Sequence, residues 1–249
     1  MENEVEDVLQ ELITSVIQSD KGRRAACTGF DEETRVADDL NNAIKCEEMF
    51  RVENNRSKVD VSNGKLKFQV KKSEGSFQQV WRTSVANFCD LNNCQFVQPI
   101  LQKLCELPIG EDNRVVKGNE RDRKIDPMIE DSFLEFLNKP EIKYSIINQS
   151  LRGNDMDNRP HFLVYVEYDK NKNRKIPKIF YMGELVKKLS RFNFKVNPSR
   201  TVIALDNSGI TIQRKGGDGG RPAGNDIQVK ISFKKVIANT KPNYMDLRI

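Results

Sequence analysis

The sequence predicts an α/β protein, rich in helices over its first part and in strands over its last. Three observations carry that expectation. Residues 2–18 and 28–45 set apolar side chains three and four positions apart, the spacing of one helix face. Residues 58–72, "KVDVSNGKLKFQVKK", alternate apolar and polar around Asn63-Gly64, as a hairpin with a tight turn does. Beyond about residue 145, short alternating runs follow one another between turn residues. With 249 residues, 37% of them hydrophobic, the chain can bury a sizeable core.

Taken in order, residues 2–18 place Val5, Val8, Leu9, Leu12, Ile13, Val16 and Ile17 on one helix face behind an acidic start. A second helix begins near Asp31 and turns Val36, Ala37, Leu40 and Ile44 inward. The hairpin follows. "SFQQVWRTSVANFCDL" and "FVQPILQKLCELP" then read as helices, the latter begun or bent by Pro99, and "PMIEDSFLEFLNKP" as a short helix closed off by Pro140. Strands are expected at "YSIINQSL", "HFLVYVEYD", "KIPKIFYMG", "TVIALD", "ITIQRKG" and "DIQVKISF". This change of texture divides the chain near residue 145, into parts 1–145 and 146–249.

Composition excludes several functions. The sequence has no apolar run long enough to span a bilayer and opens on "MENEVEDVLQ", which lacks the pattern of a secretion signal, so a cytoplasmic protein with no membrane partner is expected. The five cysteines show no Cys-x-x-Cys pair and suit reduced, buried thiols. One histidine, His161, rules out a multi-histidine metal site and reads as a strand-end residue. Charge is distributed unevenly: residues 161–249 hold 18 Lys and Arg against 7 Asp and Glu, while residues 1–160 hold 23 against 29. A basic last third suits a polyanion, most simply a nucleic acid.

The hairpin offers chemistry to match. A two-residue turn at Asn63-Gly64 pairs Val61 with Leu66 and Val59 with Phe68, and puts Lys58, Asp60, Ser62, Lys65, Lys67, Gln69 and Lys71 on one face. Asp60 and Gln69 become diagonal neighbours about 7 to 8 Å apart, near enough to share one ion, and Lys71 projects beside them. Metal-assisted phosphodiester hydrolysis needs such a set: a carboxylate and a second oxygen for a hard cation, and a positive group to orient water. The layout is that of the PD-(D/E)XK nuclease motif, written Asp60…Gln69-Val70-Lys71, with Glu33 on the preceding helix as a further carboxylate at the rim. A solvated polar face explains the same alternation. A second "QVK", Gln228 to Lys230, has no carboxylate on a neighbouring strand and reads as structural.

The stretch "ITIQRKGGDGGRPAGNDIQVK" joins two strands through a glycine-rich loop. It matches neither a Walker loop nor a dinucleotide fingerprint, so no small nucleotide cofactor is expected. Gln213, Arg214, Lys215, Asp218 and Arg221 on such a backbone can bond guanine and cytosine edges in a major groove, or touch phosphates alone.

Over most of its length the sequence resembles the HinP-type type II restriction endonucleases, the GCGC-cleaving relatives of MspI in the PD-(D/E)XK superfamily. The likeness runs through "GFDEETRVADDL", "FQVKKSEGSFQQVW", "CELP", "FLEFLNK", "SLRGND", "TIQRKGGDGGR" and "IQVKI". It implies a mixed central sheet flanked by helices, with residues 1–145 as the nuclease part and 146–249 as the DNA-recognition part. It further implies catalytic Asp60, Gln69, Lys71 and Glu33; Mg²⁺ held by Asp60, Gln69 and the main chain at Val70; Phe77 and Gln79 applied to the minor groove; and Gln213, Arg214, Lys215, Asp218 and Arg221 as base readers. Double-stranded DNA is the implied partner, and a companion DNA methyltransferase is expected in the same system. Two departures stand out: the interval from Asp60 to Gln69 is short, and "RPAG" follows the loop. A non-catalytic DNA-binding module and an RNA-binding protein remain open on the residues alone.

Overall fold

The structure, a computed structural model, describes residues 32–44, 46–53, 58–72, 77–105, 124–169, 171, 173–215 and 226–247. The helix expected at residues 2–18 lies outside them. In chain order the elements are α1 Glu32–Ala43, β1 Arg51–Val52, β2 Val61–Ser62, β3 Lys67–Lys72, β4 Gln78–Ser84, α2 Val85–Asn92, a 3-10 turn Gln95–Val97, α3 Gln98–Cys105, α4 Pro127–Leu137, α5 Pro140–Arg152, β5 Phe162–Val166, β6 Lys178–Tyr181, α6 Met182–Leu189, β7 Phe194–Val196, β8 Val202–Leu205, β9 Ile210–Arg214, β10 Asp226–Ile231, α7 Phe233–Thr240 and β11 Met245–Asp246. The fold is mixed α/β with two sheets. Among the described residues no helix is long and apolar enough to cross a membrane.

Two compact units interleave along the chain, where the change of texture had set one boundary near residue 145. One takes described residues from 1–74, 152–185 and 242–249, the other from 75–151 and 186–241. The first is built on a sheet of order β1-β2-β3-β5-β6-β11, antiparallel except where β3 and β5 run parallel. A parallel pair needs a long crossover, and here the crossover is residues 73–161, which carry β4 and α2 to α5 of the other unit.

One face of this sheet is the core. Val36, Ala37, Leu40 and Ala43 of α1 pack with Phe68 and Val70 of β3 and with Phe162 and Val164 of β5. Phe68 stacks on Phe162 at 5.1 Å and meets Phe50 edge-on at 5.5 Å. Asn41 ties α1 to the chain entering β1 by two bonds: Phe50 N–H donates to Oδ1 at 2.7 Å, and Nδ2 donates to the Phe50 carbonyl at 2.9 Å.

The second unit is built on an antiparallel sheet of order β4-β10-β9-β8-β7. Helices α2 and α3 pack on β9 and β10, where Ile210, Ile212, Ile227, Val229 and Ile231 are buried. Three expectations fail here. Gln78–Ser84 is strand, not helix; opposite it the ladder shifts between Val229 and Lys230, leaving Val80 as an extra residue. "YSIINQSL" is helix, not strand, because Ile142, Ile146, Ile147 and Leu151 are buried along one face of α5. Pro140 does not close α4 but opens α5, at the first helical position, where its missing N–H is no loss.

Candidate functional site

The hairpin pairs Val61 with Phe68 and Ser62 with Lys67, two residues away from the predicted pairing. The cause is Asn63. Its Oδ1 accepts the N–H groups of Lys65 at 3.2 Å and Leu66 at 2.8 Å, and its own N–H donates to the Leu66 carbonyl at 3.3 Å. Asn63 therefore closes the ladder, and the turn is Gly64-Lys65, with Gly64 at φ 85° in the position that requires a positive value. A slip of two leaves every side chain on its predicted face. Val59, Val61, Leu66, Phe68 and Val70 are buried, and Asp60, Gln69 and Lys71 share the opposite side.

The paired register ends at Val61, one residue short of Asp60. The ladder is irregular at this point: the Asp60 N–H donates at 2.8 Å to the carbonyl of Phe68, the register partner of Val61. So turned, the carboxylate accepts the Val70 N–H at 2.7 Å and the Lys71 ammonium at 3.3 Å, both on Oδ2. It substitutes for the carbonyl that β2 would have offered to Val70.

Gln69 is 4% exposed, and among the described residues its Oε1 accepts no hydrogen bond. An acceptor buried without a partner costs about 1–3 kcal/mol, which a donor or cation supplied from outside the chain would offset. The Asp60 carboxylate, the Gln69 amide oxygen and the main-chain carbonyl of Val70 are all oxygen donors, the kind that hard cations such as Mg²⁺ prefer. Among the described residues no cluster of three His, Cys, Asp or Glu side chains is present, which sets this group apart from a zinc site.

Lys58 belongs to the same neighbourhood, although the sequence marked it only as one more polar residue of the face. Its stem lies over Gly153, where a Cβ would stand 3.6 Å from Lys58 Cδ. Burial above all, and then repulsion from Lys71, draws its ammonium down to about 7 against the pull of Asp60. The two lysines are neighbours on this face in either register. Tyr165, the partner of Lys71 on β5, is buried, and burial followed by Glu167 pushes its hydroxyl up to about 12.

Glu33 is half-buried on α1, the helix packed against the sheet face away from Asp60. Its neighbour Glu32 is the buried one, accepting from the Tyr168 hydroxyl and from Arg174 Nε at 2.7 Å. His161 is half-buried where β5 begins, with its N–H on the Lys67 carbonyl at 2.8 Å.

Of the expected base readers, the second unit brings Gln79 and Gln213 to one face of its sheet, since Lys230 pairs with Gln79 and Gln228 with Gln213 along β10. Lys215 continues from β9, its N–H on the Asp226 carbonyl at 2.9 Å. Arg214 alternates to the other face, the one Ile210 and Ile212 share. Phe77 is exposed before β4, with Lys235 Nζ 5.5 Å from its ring centroid. Asp218 and Arg221 lie outside the described residues. "DIQVK" is β10, a central strand, as expected. Arg82, which the sequence left in a presumed helix, stands on β4 across from Gln228.

No protein-family model and no curated protein matches the sequence. Among solved structures the chain is similar to the restriction endonuclease MspI in complex with its cognate DNA, with a TM-score of 0.45 and 11% identity over 79% of this chain and 76% of that one.

Proposed function

We propose that this chain is a Mg²⁺-dependent type II restriction endonuclease that hydrolyses double-stranded DNA within a short palindrome of G and C, GCGC. The observation that carries the reading is the Asp60–Lys71 ion pair on the same side of one hairpin as Gln69, whose buried Oε1 has no partner among the described residues. The resemblance of the sequence to the HinP-type enzymes supports the substrate and the target.

Asp60, Gln69 and the Val70 carbonyl would hold the metal. When bound, Mg²⁺ supplies Lewis acidity toward the scissile phosphate. The Val70 N–H fixes the Asp60 carboxylate so that it stays presented beside Gln69. Lys71 holds the attacking water near the phosphate and offsets the charge that grows on it, and Lys58, drawn down to about 7, adds a second amine that is part-protonated near neutral pH. Glu33 belongs to the set through the resemblance alone, because its helix packs on the sheet face away from Asp60. In the second unit Phe77 and Gln79 would meet the minor groove, and Gln213, Lys215, Asp218 and Arg221 the base edges; Arg214 joins them through the resemblance alone, since it lies on the helix-covered face of β9. The protein works in the cytoplasm, and a methyltransferase of the same specificity protects the host DNA.

The test is digestion of plasmid DNA of known sequence, with Mg²⁺ and with chelator, followed by sequencing of the fragment ends. Ends inside GCGC that appear only with Mg²⁺ are expected. Binding without scission at every Mg²⁺ concentration refutes the nuclease, and ends scattered over sequence refute the target.

A further inference from the structure

We infer that Arg82 is a base-reading, specificity-determining residue, held in place by Asp226 and Gln228; the inference rests on the nuclease reading above. Strand β10 runs between β4 and β9, and its register sets Gln228 between Arg82 on one side and Gln213 on the other. The three side chains therefore form a row across three strands on one face. Asp226, two residues from Gln228 and on the same face, accepts Arg82 Nε at 2.7 Å. Among the described residues Arg82 bonds through Nε, so the carboxylate fixes the plane of the guanidinium and leaves its terminal nitrogens for a ligand. Two parallel N–H groups in a fixed plane match the O6 and N7 of guanine. The Arg82 side chain is 42% exposed, so a duplex on this face can reach it.

Gln228 supplies the second observation. It is 3% exposed, and its Nε2 donates at 2.9 Å to the carbonyl of Arg214, the last residue of β9. Its Oε1 is buried and, among the described residues, accepts nothing. Gln69 of the first unit is in the same condition, so both Gln-Val-Lys runs carry an acceptor with no partner among the described residues. Between a guanidinium and a glutamine amide, the Gln228 oxygen is poised to accept an N–H from Arg82 or Gln213 once either turns toward a base. Gln228 and Asp226 are thus positioning residues, and Arg82 makes the contact. The bulge at Val80, two residues before Arg82, adds local twist that re-aims the side chains of β4.

The experiment compares binding and cleavage of a GCGC duplex with duplexes altered at one base pair, using the full chain, and follows thermal unfolding of each variant. Arg82→Lys keeps the charge but loses the fork; it should lower the preference for GCGC about tenfold or more with an unchanged unfolding midpoint and salt dependence. Asp226→Ala should lower the preference in the same way, and Asp226→Glu should restore most of it, which a purely structural carboxylate would not do. Full discrimination in Arg82→Lys overturns the inference while leaving the nuclease intact. A wild-type protein that neither binds nor cuts the duplex overturns the nuclease reading itself.

Discussion

Replacing Asp60 by Asn and by Ala separates the structural duty of this residue from its chemical one. The carboxylate has two partners, both on Oδ2: the Val70 N–H at 2.7 Å and the Lys71 ammonium at 3.3 Å. Asparagine keeps an oxygen for Val70, so what is lost is the ion pair. Its side chains are 22% and 24% exposed, which keeps its worth within about 1 kcal/mol. For a chain of this size that is a fall in Tm of about 2–4 °C. Alanine also strands the Val70 N–H, a further penalty of about 1–3 kcal/mol. Cleavage should behave differently. If the carboxylate helps hold a cation that lowers the barrier by about 3 kcal/mol or more, both variants lose at least about a hundredfold in rate. The assay is plasmid nicking under single-turnover conditions across a Mg²⁺ series, beside thermal unfolding of the same preparations. A well-folded Asp60→Asn protein that cleaves at the wild-type rate refutes the reasoning, and equal destabilisation by Asn and Ala refutes the role given to the Val70 bond.

Four further outcomes follow from the same geometry. Phe68→Ala removes a fully buried ring that stacks on Phe162 and meets Phe50, and should lower stability by about 3–5 kcal/mol in urea titration; a loss under about 1 kcal/mol would show that the core does not depend on it. Arg174→Met leaves Glu32, 2% exposed, and Asp39 without their cation, and should cost about 3–5 kcal/mol by the same measurement unless those carboxyls find other partners. Lys58→Met keeps the stem over Gly153 and deletes the amine, so cleavage should slow about tenfold with Tm little changed; an unaltered rate excludes a part for Lys58. His161 gives a pH dependence. Burial foremost, then Arg152 and Lys67, holds its imidazole below the ordinary range, so the folded protein stays neutral at a pH where the unfolded chain takes up a proton. Its contribution to stability is whole above about pH 6.5 and is lost as pH falls through the lowered folded value. Urea midpoints of wild type and His161→Gln between pH 7 and 5 should diverge in that window, and parallel curves would contradict it.

The faces of the hairpin were legible in its sequence, because alternation survives any slip of two residues. Its register was not, since Asn63-Gly64 and Gly64-Lys65 both make acceptable turns and only the bonds to Asn63 Oδ1 choose between them. That choice moved Val61 from Leu66 to Phe68 and Ser62 from Lys65 to Lys67. β4 was hidden by its bulge: an extra residue at Val80 puts Val80 and Trp81 side by side, breaks the period of two, and leaves Phe77, Val80, Trp81 and Val85 at helix-like intervals. Arg82 was lost with it. The error at α5 ran the other way. Quoted from Tyr144, "YSIINQSL" shows one short apolar pair that suits a strand as well as a helix, and the deciding residue, Ile142, lies just before it. The interleaving of the two units was beyond local pattern altogether, because the parallel pairing of β3 with β5 joins segments about ninety residues apart.

The central claim is that oxygens of Asp60 and Gln69 share one cation. A crystal structure of the protein with a GCGC duplex and Ca²⁺ measures this directly. The account predicts a cation about 2.3–2.6 Å from the Asp60 carboxylate and from Gln69 Oε1, with the scissile phosphate beside it. A cation bound elsewhere along the duplex, with Gln69 Oε1 still without a partner, would contradict it.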